Sequence, residues 1–236
     1  MLAGIAVSIA FWSRLARRDE RLLAIYVAAL IGALLGAKLV YIAAEGWLHF
    51  GTPDVWLQLA TGKSILGALL GGYVSVEVAK KITGYKNVTG DWFATIAPVA
   101  IAIGRVGCLL HGCCLGEVCE RESWWTLRDV NGLPRWPAVP LEIAFNVIAI
   151  CVFFILRKKR LLTGQHFHLY MIAYGIFRFA HESVRATPKI LAGFSGYQIA
   201  AALLFTVGMV RFLQRRTKSS AAREAQNDSR ADYALS

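Results

Sequence analysis

What most restricts this chain is a series of apolar runs, most of them near the length a helix needs to cross a hydrocarbon core. A core of ~30 Å takes about 20 helical residues. The runs fall near 1–14, 22–44, 62–80, 91–109, 138–156, 166–184 and 195–213. With 56% hydrophobic and only 17% charged residues in 236, the chain is too apolar for an ordinary soluble domain and too short for several. The pattern predicts an all-α integral membrane protein with about seven transmembrane helices. The net charge of +11 sits in short clusters, RLARRDER, KKITGYK, RKKR and RRTK, rather than on one polar face. They follow alternate runs, so all four land on one side. An excess of Lys and Arg marks cytoplasmic loops, which puts the N-terminus outside and the C-terminus in the cytoplasm. Nucleic acid is not an expected partner, because a basic groove needs a water-exposed surface.

The connections on the other side are EGWLHFGTPDVW, a long extracytoplasmic loop region over 113–139 between spans four and five, and RATPKILAGF. They are rich in Trp (Trp47, Trp56, Trp124, Trp125, Trp136), as expected at a membrane–water boundary. Asp129-Val-Asn-Gly-Leu-Pro predicts a turn. The first run has no basic residue before it and is followed by Arg14, Arg17 and Arg18, so it is expected to be a short first span rather than a cleaved leader, from a chain whose start could lie upstream. Residues 1–214 form one polytopic domain, and the polar stretch 215–236 is expected to be a disordered cytoplasmic tail. The small-xxx-small pairs Gly32/Gly36 and Gly67/Gly71 are expected to let two helices approach closely.

Two polar constellations interrupt the apolar pattern. Arg105 closes the fourth run, where a charge at the helix centre costs ~2.5–3.5 kcal/mol on insertion scales unless it faces a partner or a wet cavity. In the sixth run, Tyr174, Arg178, Glu182 and Arg185 recur at i, i+4, i+8 and i+11, a stripe down one side of a helix with His181 beside it. One Arg–Glu pair is ordinary neutralisation, but two arginines, a carboxylate and a tyrosine exceed it. Guanidinium groups bind phosphate oxygens in bidentate fashion and stay charged, and the abundant phosphate of a bilayer is a phospholipid head group. Behind Arg105 come Cys108, His111, Cys113, Cys114 and Cys119, residue types for zinc but without a paired C-x-x-C spacing. An outer location favours a disulfide of Cys113 or Cys114 with Cys119 first, a zinc site second and packing thiols third.

GRVGCLLHGCCLG, YGIFRFAHESVR, AKLVYI, GKSILGALLGG, LPRWPAVPLEIAFN and FSGYQIAAL, in this order along nearly the whole chain, resemble the motifs of the prolipoprotein diacylglyceryl transferases. The resemblance implies seven spans and transfer of the diacylglyceryl group of phosphatidylglycerol to the lipobox cysteine thiol of a secreted prolipoprotein, with glycerol phosphate leaving. It implies phosphate handling by Arg105 and Arg178, a polar stripe of Tyr174, Glu182 and Arg185, and signature glycines Gly104, Gly107, Gly112 and Gly116. The setting is a bacterial inner membrane, with no cofactor and no metal. The chain departs from the family at Lys38 (usually arginine), Leu66 and Trp136 (usually histidine), and Cys108 and Cys113 (usually asparagine and glutamate). Glu182 and His111 remain as catalytic candidates for the base, with thiolate stabilisation by Arg105 or Arg178 as the other route. Two alternatives stand beside this expectation: a paralogue with a different acceptor, and a non-catalytic lipid-binding or transport protein.

Overall fold

The computed structural model describes residues 19–191 and 193–235. Helix α1 (Glu20–Ala44) starts at Asp19, whose carboxylate accepts the Arg21 N–H at 2.9 Å. A 3-10 turn (Gly46–His49) and the short α2 (Val55–Thr61) lead to α3 (Ile65–Thr83). The Ser64 hydroxyl caps α3 by accepting the Gly67 N–H, and Gly84, in the left-handed region at φ 64°, ends it. Then come α4 (Gly90–Leu110), a hairpin of β1 (Leu127–Arg128) and β2 (Pro134–Arg135), and α5 (Ala138–Lys158). Helix α6 (His166–His181) runs on as a 3-10 turn (Glu182–Val184). A second two-stranded pair, β3 (Lys189–Leu191) and β4 (Phe194–Ser195), precedes α7 (Gly196–Leu235), which continues through the stretch expected to be a tail.

Helices α1, α4, α5 and the part of α7 over Gly196–Thr217 are long and apolar enough to cross a membrane. Helices α2 and α3, bent by 56° at their junction, add a fifth if taken as one broken span. The all-α membrane architecture stands; the count of seven is not reached among the described residues. The expected span 1–14 lies outside them. Helix α6 has 16 residues, and at 1.5 Å per residue that is about 24 Å, short of the hydrocarbon core. The span expected over 62–80 is delayed to Ile65 because the chain breaks at 62–64. Lys38 holds that break, its ammonium donating to the carbonyls of Leu59, Ala60 (3.2 Å) and Gly62 (3.0 Å).

The four glycines do what small-residue pairs do in lipid, letting backbones meet where larger side chains would hold them apart. A Cβ at Gly36 would stand 2.3 Å from the Gly67 carbonyl oxygen, and one at Gly71 would stand 2.2 Å from that of Gly32. Helix α6 lies at the centre, against α4, α5 and α7, and supplies the buried Phe167, Tyr170, Met171 and Tyr174 to the main core. Outward positions such as Leu35, Leu39, Ile148 and Phe154 are exposed apolar side chains, suited to lipid.

The two ends of the bundle differ. At one end the Asp91 carboxylate accepts the N–H groups of Gly164 (2.7 Å) and His166 (3.2 Å), while Arg215 donates to the Gly164 carbonyl at 2.7 Å. Arg157 stacks over Trp92 at 3.7 Å. The basic clusters 157–160 and 215–218 thus share an end. At the other end Tyr197 donates to Glu45 at 2.8 Å, and the loop after α4 folds over the helix termini. Its predicted turn is formed: the Asp129 carboxylate accepts from the N–H groups of Asn131 and Leu133, both at 2.9 Å, and Gly132 takes φ 78°.

Candidate active site

Two polar stripes face each other across α5 and α6. On α5 the buried positions Glu142, Asn146, Ala149 and Phe153 recur at helical spacing. On α6 they are Tyr170, Tyr174, Arg178 and His181. Tyr170 donates to the Asn146 side-chain carbonyl at 2.8 Å, Asn146 donates to the Glu142 backbone carbonyl at 2.8 Å, and Tyr174 donates to the Glu142 carboxylate at 2.7 Å. These three bonds give the buried Tyr170 and Tyr174 hydroxyls and the Asn146 amide the partners that the low dielectric demands.

Glu142, with no exposed surface, also meets Arg105 from α4: Oε2 and Nε are 2.8 Å apart. The pair is close enough for strong attraction, yet the Nε–H is not directed along the line, so these two atoms make an ion pair without a hydrogen bond. Helix α6 adds a second pair, Arg178 Nη2 to Glu182 Oε2 at 2.9 Å, and Thr187 donates to the other Glu182 oxygen at 2.6 Å. Arg185 approaches Glu182 only to 3.8 Å, and its buried Nε and Nη1 have no hydrogen-bond acceptor among the described residues. Burial first, then repulsion from Arg178 and Arg105, lowers the Arg185 guanidinium from its usual range. Three guanidiniums therefore converge on two carboxylates, leaving one formal positive charge and two aimed donors.

His181 is fixed as a neutral ring by its partners. Nδ1 accepts from Arg178 at 2.8 Å, so the proton is assigned to Nε2, which donates to the Ala138 carbonyl at 2.8 Å. The ring stacks on Phe177 with centroids 4.9 Å apart. It positions Arg178 and has no free nitrogen for proton transfer.

Of the residues singled out from sequence, Arg105, Tyr174, Arg178, Glu182 and Arg185 come together. His111 does not join their bonds; it is exposed at the C-cap of α4, its backbone N–H on the Gly107 carbonyl at 3.1 Å. A side-chain carbon at Gly104 or Gly107, or at Gly112 in the turn beyond α4, would meet nothing within 4 Å, so α4 is open at the two glycines flanking Arg105. Gly116 has a different place. A Cβ there would lie 2.5 Å from that of Trp136 and 2.6 Å from the Val184 carbonyl oxygen, because Gly116 bridges to Arg185 while its N–H bonds the Trp136 carbonyl. Leu66 is packed in the apolar core, and Trp136 lies on Trp125 with centroids 4.7 Å apart.

The cysteines are all free thiols, which overturns the expected bond from Cys113 or Cys114 to Cys119. The chain over 116–119 runs against 134–136, with the Cys119 N–H on the Pro134 carbonyl at 2.8 Å, and this draws Cys119 away from the other two. Cys114, at φ 62°, turns back instead, so that the sulfurs of Cys108, Cys113 and Cys114 lie within 4.8 Å of one another. Cys108 Sγ is 4.0 Å from Arg105 Nη1. A hydrogen bond from Cys108, aided by Arg105 and Arg185, brings the Cys114 thiol down to about 5 against the upward pull of burial, while burial raises Cys113.

Glu142, Asn146 and Tyr170 were not singled out from sequence. The signal was there in LEIAFNVIAICVFF: an acid and an amide four residues apart inside an apolar run, costly in lipid without partners on another helix.

The sequence model of a family described as prolipoprotein diacylglyceryl transferase matches residues 1–214. A phosphatidylglycerol–prolipoprotein diacylglyceryl transferase of Clostridium tetani is 28% identical over 177 residues, covering 72% of this chain and 71% of that protein. One from Symbiobacterium thermophilum is 28% identical over 244 residues, 93% and 88% of the two chains. One from Neisseria meningitidis is 26% identical over 220 residues, 78% and 76%.

Proposed function

The chain belongs to the prolipoprotein diacylglyceryl transferase family, and from that membership we propose that it transfers the diacylglyceryl group of phosphatidylglycerol to the lipobox cysteine thiol of a prolipoprotein. The observation that carries the proposal is the buried group of Arg105, Arg178 and Arg185 around Glu142 and Glu182. Its one surplus positive charge matches the single negative charge of a phosphodiester. Arg185 Nε and Nη1, which have no hydrogen-bond acceptor among the described residues, are donors for phosphate oxygens. The open glycine face beside Arg105 gives the lipid a lateral way in from the outer leaflet.

In the reaction the acceptor sulfur forms a C–S bond to the terminal glyceryl carbon, and the C–O bond to phosphate breaks. The bonding pair leaves on glycerol phosphate, so negative charge grows on the phosphate oxygens in the transition state. Guanidiniums already aimed at those oxygens stabilise that charge without reorganising. Glu142 and His181 are positioning residues for Arg105 and Arg178. For the thiol proton, both Glu182 oxygens are engaged by Arg178 and Thr187, and His111 is exposed past the end of α4. That favours stabilisation of the thiolate by a guanidinium, since only the thiolate attacks.

In this reading the basic end of the bundle faces the cytoplasm and the site lies toward the outer face of a bacterial inner membrane. The test uses the purified full chain, phosphatidylglycerol and a lipobox peptide. Thioether-linked diacylglyceryl peptide and glycerol phosphate should appear in equal amounts, with none from a peptide carrying serine in place of the cysteine. Lipid binding without covalent product would sink the enzyme reading; glycerol phosphate without modified peptide would mean another acceptor.

A further inference from the structure

The thiol trio at the end of α4 is not used by the reaction as described, yet it adjoins the arginines. Cys108 is on the last turn of α4, and the chain then doubles back: Gly112 takes φ 68°, the Cys113 N–H bonds the Cys108 carbonyl at 3.0 Å, and Cys114 takes φ 62°. A non-glycine residue in the left-handed region is held there by its surroundings. The result is three sulfurs mutually within 4.8 Å. Sulfurs bound to one zinc ion, at Zn–S of about 2.3 Å, stand about 3.8 Å apart, so closure needs a movement of no more than about 1 Å.

We propose that Cys108, Cys113 and Cys114 form a three-thiolate site for a soft divalent ion of the zinc type, whose fourth position faces the arginines and accepts the thiolate of the acceptor. Soft thiolate donors select such ions over magnesium or calcium. Three protein ligands with one open position is the pattern of a zinc site that does chemistry rather than one that only holds a fold. Three thiolates and a divalent ion carry one net negative charge, set beside the Arg105 guanidinium, whose Nη1 is 4.0 Å from Cys108 Sγ. A coordinated thiol loses its proton outright, here to water, which supplies the thiolate without any protein base. The sulfur then attacks the glyceryl carbon as above, the C–O electrons leaving with glycerol phosphate. The use of the fourth position rests on the transferase reading; the ion site does not.

The test takes the full chain in detergent, purified under reducing conditions and loaded with zinc, cadmium or cobalt alone. One ion should bind per chain, with thiolate-to-cobalt charge-transfer absorption. Cys108→Ser, Cys113→Ser and Cys114→Ser should each weaken binding more than tenfold, while Cys151→Ser changes nothing. Because a variant can fail to fold, cadmium protection of the unmodified chain from a thiol reagent is read by peptide mapping. Cys108, Cys113 and Cys114 should be protected together and Cys151 not at all. Absence of stoichiometric binding, protection of fewer than all three, or a disulfide between any two overturns the site. A lipobox peptide should intensify the cobalt–thiolate band and its serine analogue should not; an unchanged band with the cysteine peptide overturns the role of the fourth position. Binding is read without turnover, so one ion per chain with no thioether product would sink the transferase reading alone.

Discussion

Removing the charge of Glu142 tests the site at the point where it is most tightly built. Glu142→Gln keeps an acceptor for the Tyr174 hydroxyl but leaves Arg105 without a counter-charge. At 2.8 Å and an effective dielectric near 20, the attraction lost is about 6 kcal/mol gross. Desolvation of the two ions offsets much of that, and breaking a buried pair from one side costs ~3–5 kcal/mol. An expected loss of about 3 kcal/mol follows, shared between folding and the placement of Arg105. Because a misplacement near 1 Å costs about 100-fold, kcat should fall by about that factor. KM for phosphatidylglycerol should stay within threefold, since Arg185 still offers its donors. A double-mutant cycle separates the causes. Glu142→Ala strands a buried cation and the Tyr174 hydroxyl, whereas Arg105→Ala with Glu142→Ala strands the hydroxyl alone. The double variant should therefore be more stable than Glu142→Ala in an SDS unfolding titration, with coupling of about 2–3 kcal/mol. Additive losses, or kcat of the Gln variant within threefold of the parent, would refute the reasoning.

Arg105→Lys keeps the charge but not the planar fork; transfer should drop at least tenfold while membrane insertion is unchanged, and equal turnover would make Arg105 an anchor only. Gly67→Leu places side-chain carbon where the Gly36 carbonyl oxygen is already 2.1 Å from a built Cβ, so α1 and α3 should separate and the chain should be lost to proteolysis in membranes. Normal accumulation of that variant would mean the two helices do not pack as described. With the Cys114 thiol depressed to about 5, its thiolate is present above that pH and lost as pH falls through it. Alkylation of Cys114 in the metal-free chain should be level from pH 8 to 6 and fall about tenfold per unit below about 5; a midpoint near the ordinary value of ~8.5 would show that Cys108 and Arg105 do not act on it.

The parts of this molecule legible in its sequence are those set by local periodicity. Six of the apolar runs became the described helices near their expected places, because each run had to be helical to satisfy its own backbone. The stripe of Tyr174, Arg178, Glu182 and Arg185 was readable because all four share one helix and its first turn beyond. The counter-charge of Arg105 was not, since Glu142 lies on α5 and no spacing along the chain relates position 142 to 105. Cys119 was misassigned for a similar reason. Sequence distance put it near Cys113 and Cys114, but a left-handed turn at Cys114 gathers those two with Cys108, while Cys119 sits in the stretch 116–119 that pairs with 134–136. The short reach of α6 was also hidden: its run continues to 184 in composition, while the helix gives way to a 3-10 turn at Glu182.

The charge arithmetic of the site is what separates an anion-binding role from internal bracing. Bracing alone needs equal numbers of opposite charges, and two pairs, Arg105–Glu142 and Arg178–Glu182, already balance. A third guanidinium added to such a set brings desolvation and repulsion from the other two that outweigh its attraction to Glu182 and Glu142, which is the physical content of the lowered Arg185. A fold under no further constraint would lose Arg185 to an apolar residue, since replacing buried charge by packed hydrocarbon is often neutral or favourable. An anion seated between Arg185 and the two pairs reverses each unfavourable term: it fills the donors at Nε and Nη1, screens the three cations from one another and brings the group to neutrality. The same anion must be small enough to leave the carboxylates in place and must be available at membrane depth. A phosphodiester head group meets both conditions.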